Sequence, residues 1–156
     1  MESDRDAIWN IFRVVISPGD TYAFDPAMSR RDALAYWFRS GTWTYVAESK
    51  GKVVGTYILR ANQPGLGSHV ANAAFMVSPQ ARGTGVGRQM GEHSLEEARH
   101  FGFRSIQFNF VVSTNHTAIR LWESLGFDII ATVPGAFRHS VKGFVDVHIM
   151  FRNLVD

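Results

Sequence analysis

The chain has 156 residues, 46% of them apolar, no cysteine and a formal net charge of +2, which is the size of one domain able to bury a core without cross-links. The lack of cysteine excludes disulfides, thiolate metal sites and cysteine nucleophiles. The charge is spread, with no Lys/Arg-rich run, so neither a nucleic-acid surface nor a membrane partner is expected. No stretch reaches the length of a membrane span, and MESDRDAIWNIF is charged where a signal peptide needs an apolar run. The expectation is a single soluble domain over 1–156, cytoplasmic in location.

In chain order, Ile8, Ile11, Phe12 and Val15 share one helical face, and Ser3 with Asp6 is a candidate capping box for that first helix. Ser17-Pro18-Gly19-Asp20 ends it. After the irregular stretch TYAFDPAM, Ser29 and Asp32 form a second candidate box, followed by the stripe Leu34, Trp37 and Phe38, with Gly41 closing the helix. Trp43–Glu48 and Lys52–Asn62, rich in Val, Thr, Tyr and Ile, flank the turn Ser49-Lys50-Gly51 and predict an antiparallel hairpin. His69–Val77 reads as a short buried strand, then come a glycine-rich turn and a helix over about 87–101. Ser105–Val112 alternates, placing Ile106, Phe108, Phe110 and Val112 on one face. A fourth helix carries Ala118, Leu121, Trp122 and Leu125 and stops at Gly126. Asp128–Val133 and Gly143–Phe151 predict two last strands joined by the polar segment PGAFRHSVK. The class is α/β with a central sheet.

The chemistry concentrates between the buried strand and the third helix. Val77-Ser78-Pro79-Gln80-Ala81-Arg82-Gly83-Thr84-Gly85-Val86-Gly87 sets three glycines at alternate positions. Glycines let the backbone turn sharply and approach a ligand, several N–H groups then converge, and the helix N-terminus adds partial positive charge, so a diphosphate suits the segment. Arg82 can add a charge-assisted contact. A Walker loop needs Lys followed by Ser or Thr, but Arg88 follows Gly87; the dinucleotide fingerprint G-x-G-x-x-G is not matched by G-T-G-V-G. The bland alternative is a tight strand-to-helix turn.

Arg82, Gly85 and Gly87 match the Arg/Gln-x-x-Gly-x-Gly/Ala loop of the GNAT acyltransferase superfamily, which this chain resembles. A second motif agrees: Asn115, Ala118, Leu121-Trp122 and Gly126-Phe127, at the family's spacing. More loosely, Gly19–Phe24, Ser29, Trp37-Phe38 and Gly143-Phe144-Val145-Asp146 look like the branch of phosphinothricin and L-amino-acid N-acetyltransferases. The resemblance implies a mixed, mostly antiparallel sheet of six or seven strands, splayed between the fourth and fifth, with about four helices. It also implies acetyl-CoA as acyl donor, its pantetheine arm lying in the gap on backbone groups near Met76 and Val77. The amides of Arg82, Gly83, Thr84, Gly85, Val86, Gly87 and Arg88 would then hold the pyrophosphate, and the Asn115 side chain would bond the pantetheine. One departure is that relatives place a short strand before the first helix, whereas this chain begins with the helix.

The catalytic pattern departs further. Acyl transfer to an amine needs a neutral nucleophile, a polarised thioester carbonyl and a proton for the departing thiolate. By the resemblance, Asn72 stands where many relatives carry a Glu base, and Trp122 where they carry a Tyr acid; neither amide nor indole exchanges a proton at neutral pH. Tyr22 and Tyr57 are candidate acids, His139 and His148 candidate bases, and Asp146 a candidate for orienting the acceptor, each set against an ordinary packing role. Asn109 either faces the cleft or holds a water. His93, His100 and His116 lack the neighbours of a metal ligand, so no metal is expected. Tyr22 and Phe24 on the irregular segment, with His139, are expected to shape the acceptor pocket. The expected partner is a small-molecule amine, an amino acid or an analogue, acetylated by direct attack in a ternary complex; a homodimer is left open. A protein or peptide acetyltransferase, or an acyl-CoA sensor without turnover, are the alternatives.

Overall fold

A computed structural model describes residues 1–156. Its elements are α1 (Glu2–Ile16), α2 (Arg30–Trp37), β1 (Thr42–Ser49), β2 (Lys52–Ala61), β3 (Val70–Val77), α3 (Val86–His100), β4 (Ser105–Val112), α4 (His116–Ser124), β5 (Asp128–His139) and β6 (Gly143–Asn153), with short 3-10 turns at Gly65–Gly67 and Pro79–Ala81. The strands form one six-stranded sheet in the order β1-β2-β3-β4-β6-β5. Every neighbouring pair is antiparallel except β3 with β4. The β1–β2 turn is two residues, Lys50 at φ 51° and Gly51 at φ 75°, the left-handed pair that matches strand twist in a tight hairpin.

Odd and even residues of β2 and β3 divide the core into two layers. Tyr57, Leu59, Ala71 and Phe75 pack under α3 and α4 with Met90, Leu95, Trp122 and Leu125. Ile58 and Met76 pack under α1 and α2 with Ile8, Phe12, Leu34 and Trp37. The fully buried Trp37 ties the second layer to the sheet: its indole N–H donates to Thr56 Oγ1 at 2.9 Å, and that hydroxyl donates to the Tyr45 carbonyl at 2.7 Å.

Several expectations are corrected. The first helix begins at Glu2, and Asp4 receives the Met1 amino group at 3.0 Å; Ser3 and Asp6 therefore lie inside the helix, and Asp6 accepts from Arg30 instead. Ser29 does cap α2 through Asp32 N–H, but α2 ends at Trp37 and Gly41, at φ 77°, shapes the turn into β1. In β4 a bulge between Phe108 and Val111 breaks the alternation, so Phe110 turns outward, 40% exposed, while Val111 and Val112 are buried. PGAFRHSVK is mostly strand: β5 runs on to His139, and Pro134 is tolerated because it lies on the sheet edge inside the irregularity between Val133 and Phe137.

The packing of α3 on α4 gives a stability prediction. A methyl on Gly91 would stand 2.6 Å from Leu125 Cδ1 and 3.1 Å from Trp122 Cζ3, both in the buried layer. Overpacking costs about 1–3 kcal/mol against the roughly 1 kcal/mol that alanine adds to a helix interior. Gly91→Ala is expected to lower stability by up to about 2 kcal/mol, read as a Tm a few degrees lower; an unchanged or higher Tm would show that α4 gives way freely.

Candidate active site

The site is built on the one place where the sheet fails to close. The parallel pair β3–β4 joins only through Val70 with Ser105 and Ala71 with Ile106. Beyond Ala71 the strands part, and β4 stays paired with β6 on both sides of the Phe108–Val111 bulge. This is the anticipated splay; it falls between the third and fourth strands of this chain because no strand precedes α1.

Which amides the gap exposes follows from hydrogen-bond parity. Val70 C=O accepts from Asn62 and Ser78 N–H donates to Val54 C=O, so even-numbered backbone groups of β3 face β2. Odd-numbered groups face the gap, and those of Ala73, Phe75 and Val77 have no strand partner there. Of the two residues expected to offer backbone to a pantetheine arm, Val77 points into the gap, whereas Met76 is paired with Thr56 on β2. An unpaired run of strand amides is the edge to which an extended amide-bearing chain adds like a strand.

At the open end of the gap, Ala81 ends a 3-10 turn and Gly83 and Gly85 take φ 76° and 87°. Gly85 is the N-cap of α3 and supplies no side-chain cap. The first intrahelical bond is Gln89 N–H to Gly85 C=O, which leaves the amides of Val86, Gly87 and Arg88 free at the positive end of a 15-residue helix. A Cβ on Gly83 or Gly85 would meet nothing within 4 Å, so the space before these amides is open. Gly87 serves differently: its Cβ would touch Leu121 at 3.4 Å, so it brings α3 close to α4. Thr84 closes the loop through the Ala81 carbonyl. Arg82 makes no ion pair within the chain, while Arg88 is occupied by Ser124 at 2.6 Å and Glu92 at 3.5 Å. The open helix end, the free amides and Arg82 suit a diphosphate.

Across the gap, Asn115 caps α4: its Oδ1 accepts from Ala118 N–H at 3.3 Å, leaving its amide NH2 free to donate. Trp122 is 8% exposed and packs on Phe75 and Phe108, each at 4.7 Å between ring centroids. Its indole N–H has no partner in the chain, yet the only orphaned buried side-chain atoms are Thr42 Oγ1 and Arg60 Nη1; the indole N–H therefore reaches open space.

Asn72, the first β3 residue past the paired segment, lies on the α1/α2 face, directly across from Arg60 on β2. Its side chain is half-buried and makes no hydrogen bond. Nearby on β4, Asn109 accepts from Gln107 at 3.0 Å and donates to Asn62 at 2.6 Å, which settles it as a bridge over the start of β3. Tyr22, on the α1–α2 connection, stacks on Phe24 at 6.0 Å, and Phe24 meets the edge of Tyr36 at 4.9 Å. Burial holds the Tyr22 hydroxyl well above the usual phenol pKa, offset in part by the Phe75 backbone N–H beside it. The hydroxyl thus sits against a gap-facing amide of β3. Tyr57, the other candidate acid, is in the opposite layer, 2% exposed and bonded to His93 Nδ1 at 2.6 Å.

The remaining candidates divide. His139 Nδ1 accepts from the Val141 and Lys142 amides at 3.1 and 3.2 Å, capping the β5–β6 turn. It also lines a cavity of about 410 Å³ with Asp20, Thr21, Asn115, Arg120 and Lys142 among its walls. Asp146 accepts from Gly135 N–H at 3.0 Å, the bland alternative considered for it, and so braces the irregular part of β5 rather than pointing at an acceptor. His148 bonds Thr132 at 2.8 Å. No group of three His, Asp or Glu side chains is arranged to hold a metal ion, and no helix is long and apolar enough to cross a membrane.

Residues 7–127 match the model of the Acetyltransferase (GNAT) family, a span holding both the glycine loop and the α4 motif. The chain belongs to the Acetyltransferase (GNAT) family. It is thereby an acyl-CoA-dependent acetyltransferase, with acetyl-CoA as acyl donor. Among relatives of this GNAT protein, N-acetyltransferase aca1 of Schizosaccharomyces pombe is 34% identical over 151 residues, covering 86% of this chain and 72% of that protein. A GCN5-related N-acetyltransferase from Kribbella flavida is 45% identical with a TM-score of 0.93, covering 99% of this chain and 94% of that one. YncA of Salmonella typhimurium, solved with its cofactor acetyl-CoA, shares the fold at 24% identity and a TM-score of 0.88, covering 100% and 91%.

Arg60 and Tyr36 were missed by sequence reasoning. The only sequence signal was an arginine inside a run of strand-forming residues, and its significance needs the β2–β3 register.

Proposed function

We propose that this protein acetylates the amine of a small molecule, an amino acid or an analogue, by direct attack on acetyl-CoA held in the β3–β4 gap. The observation that carries the acceptor class is a latch. Ser140 N–H donates to the Gly19 carbonyl at 3.0 Å and Ser140 Oγ to the Pro18 carbonyl at 2.7 Å. These bonds tie the β5–β6 turn to the α1–α2 connection, where a protein or peptide substrate needs an open groove. The partial likeness to phosphinothricin and L-amino-acid acetyltransferases agrees with this class.

In this reading, the Phe75 and Val77 amides and the Asn115 NH2 hold the pantetheine arm, and the amides at the start of α3 with Arg82 hold the diphosphate. Asn72 positions the amine by hydrogen bonding, since an amide takes no proton. The amine gives one proton to water and attacks as the neutral form; its nitrogen bonds the thioester carbon while the C–S bond breaks, and the second proton that the nitrogen sheds goes to water, from which the proton donor to sulfur is restored. Tyr22, kept protonated by burial, donates to the departing sulfur, the role that Trp122 cannot fill. The rising limb of kcat/KM against pH then follows deprotonation of the acceptor amine itself and shifts with the amine used, and no tyrosine limb appears below pH 10.

The test is thiol release from acetyl-CoA with free amines and with the same amines as peptide N-termini. Free amines are expected to be favoured in kcat/KM by at least roughly tenfold, the cost of losing one good pocket contact. Equal or better turnover of peptides would replace the small-molecule reading, and binding without turnover of any amine would favour a sensor.

A further inference from the structure

Arg60 is a cation in search of a partner. It stands on β2 on the face covered by α1 and α2, and Nη2 donates to the Tyr36 hydroxyl at 2.6 Å with the guanidinium 4.8 Å from the Tyr36 ring centre. Nη1 is buried and has no hydrogen-bond partner. None of the chain's ion pairs includes Arg60; those pairs are made by Met1, Arg5, Arg30, Arg31 and Arg88. A guanidinium carries five donors, and leaving a buried donor without a partner costs free energy. Its direct cross-strand neighbour is Asn72, a neutral amide with an unused side chain at the head of the gap. Side chains paired in this way stand about 4.5–5.5 Å apart at Cβ.

We infer that Arg60 is the specificity-determining residue for the acceptor's carboxylate, so that the substrate class is short amino acids. The amine lies at Asn72 beside the thioester, and the carboxylate, one or two carbons away, pairs with Arg60. The aromatic wall of Tyr22, Phe24 and Tyr36 covers the carbon skeleton. Tyr36 holds Nη2 of the guanidinium, and Nη1, the donor left without a partner, is the one offered to the acceptor. The inference rests on the small-molecule reading above and adds to it the residue that reads the acceptor's carboxylate.

The experiment compares an amino acid with its carboxamide, in wild type and in Arg60→Met, a change that keeps the aliphatic stem. A charge-assisted hydrogen bond corresponds to roughly 10- to 100-fold. Wild type is expected to prefer the carboxylate by that factor in kcat/KM, mainly through KM. Arg60→Met is expected to lose the preference with acetyl-CoA affinity unchanged, and Arg60→Lys to recover part of it. Asn72→Glu is expected to raise KM for the carboxylate form selectively, because it sets a protein carboxylate opposite Arg60. A wild type indifferent to the carboxylate, or a preference that survives Arg60→Met, overturns the assignment. Should no small amine be acetylated, the small-molecule reading fails separately, and Arg60 is judged by binding. An N-acetylated amino acid should then raise the Tm of wild type and not of Arg60→Met, and equal shifts would overturn the inference.

Discussion

Gly85→Val is expected to lower acetyl-CoA affinity by at least roughly 100-fold in calorimetry while the protein stays folded. Gly85 sits at φ 87° at the head of α3, and a left-handed conformation costs a residue with a side chain about 1–2 kcal/mol. That strain is within the stability of an ordinary domain. A Cβ at this position meets no protein atom within 4 Å, so the valine methyls project into the open space in front of the Val86, Gly87 and Arg88 amides. The occupant they displace is the diphosphate. Losing two charge-assisted hydrogen bonds, each worth about 1.5–3 kcal/mol, accounts for the stated factor. Gly87→Ala provides the contrast, because its Cβ would touch Leu121 at 3.4 Å and should affect helix packing more than the ligand. Undiminished affinity in folded Gly85→Val would remove the diphosphate from this loop.

Tyr22→Phe is expected to reduce kcat by about 10²- to 10⁴-fold, the range of general acid assistance, with acetyl-CoA affinity unchanged. Phenylalanine keeps the stack on Phe24 at 6.0 Å and removes only the hydroxyl beside the Phe75 amide. A packing residue would lose stability and retain turnover; a proton donor loses turnover alone. The pH profile separates the two further. Burial raises the hydroxyl's pKa, so Tyr22 is fully protonated throughout the neutral range, and its removal should scale the rate at every pH without moving the rising limb. Stopped-flow thiol release across pH reads both quantities, and a kcat within twofold of wild type would return Tyr22 to the aromatic wall.

How much of this was legible in the sequence depends on the range of the signal. The glycine loop was readable because its chemistry is local: three glycines at alternate positions between a strand and a helix dictate a turn with open amides wherever the fold puts it. The Ser49-Lys50-Gly51 turn was readable for the same reason. The face of Phe110 was not, since the bulge lies in the pairing of β4 with β6, and no period-two reading contains that. Asp146 and His139 carry chemistry suited to catalysis, but the Gly135, Val141 and Lys142 amides of the β5–β6 hairpin claim them. Met76 and Val77 differ only in parity relative to β2, which decides which amide the gap receives. Arg60 acquires meaning only from the register that sets it against Asn72.

The central claim is that acetyl-CoA lies as an added strand in the β3–β4 gap with its diphosphate on the N-terminus of α3. The most direct measurement is residue-resolved amide exchange by NMR with and without acetyl-CoA. Slowed exchange is expected at Phe75 and Val77, the unpaired amides of β3, and at Val86, Gly87 and Arg88, with little change at Ala74 and Met76, already bonded to β2. Protection absent from these amides, or appearing instead at the β1–β2 hairpin or on β5, would contradict the account.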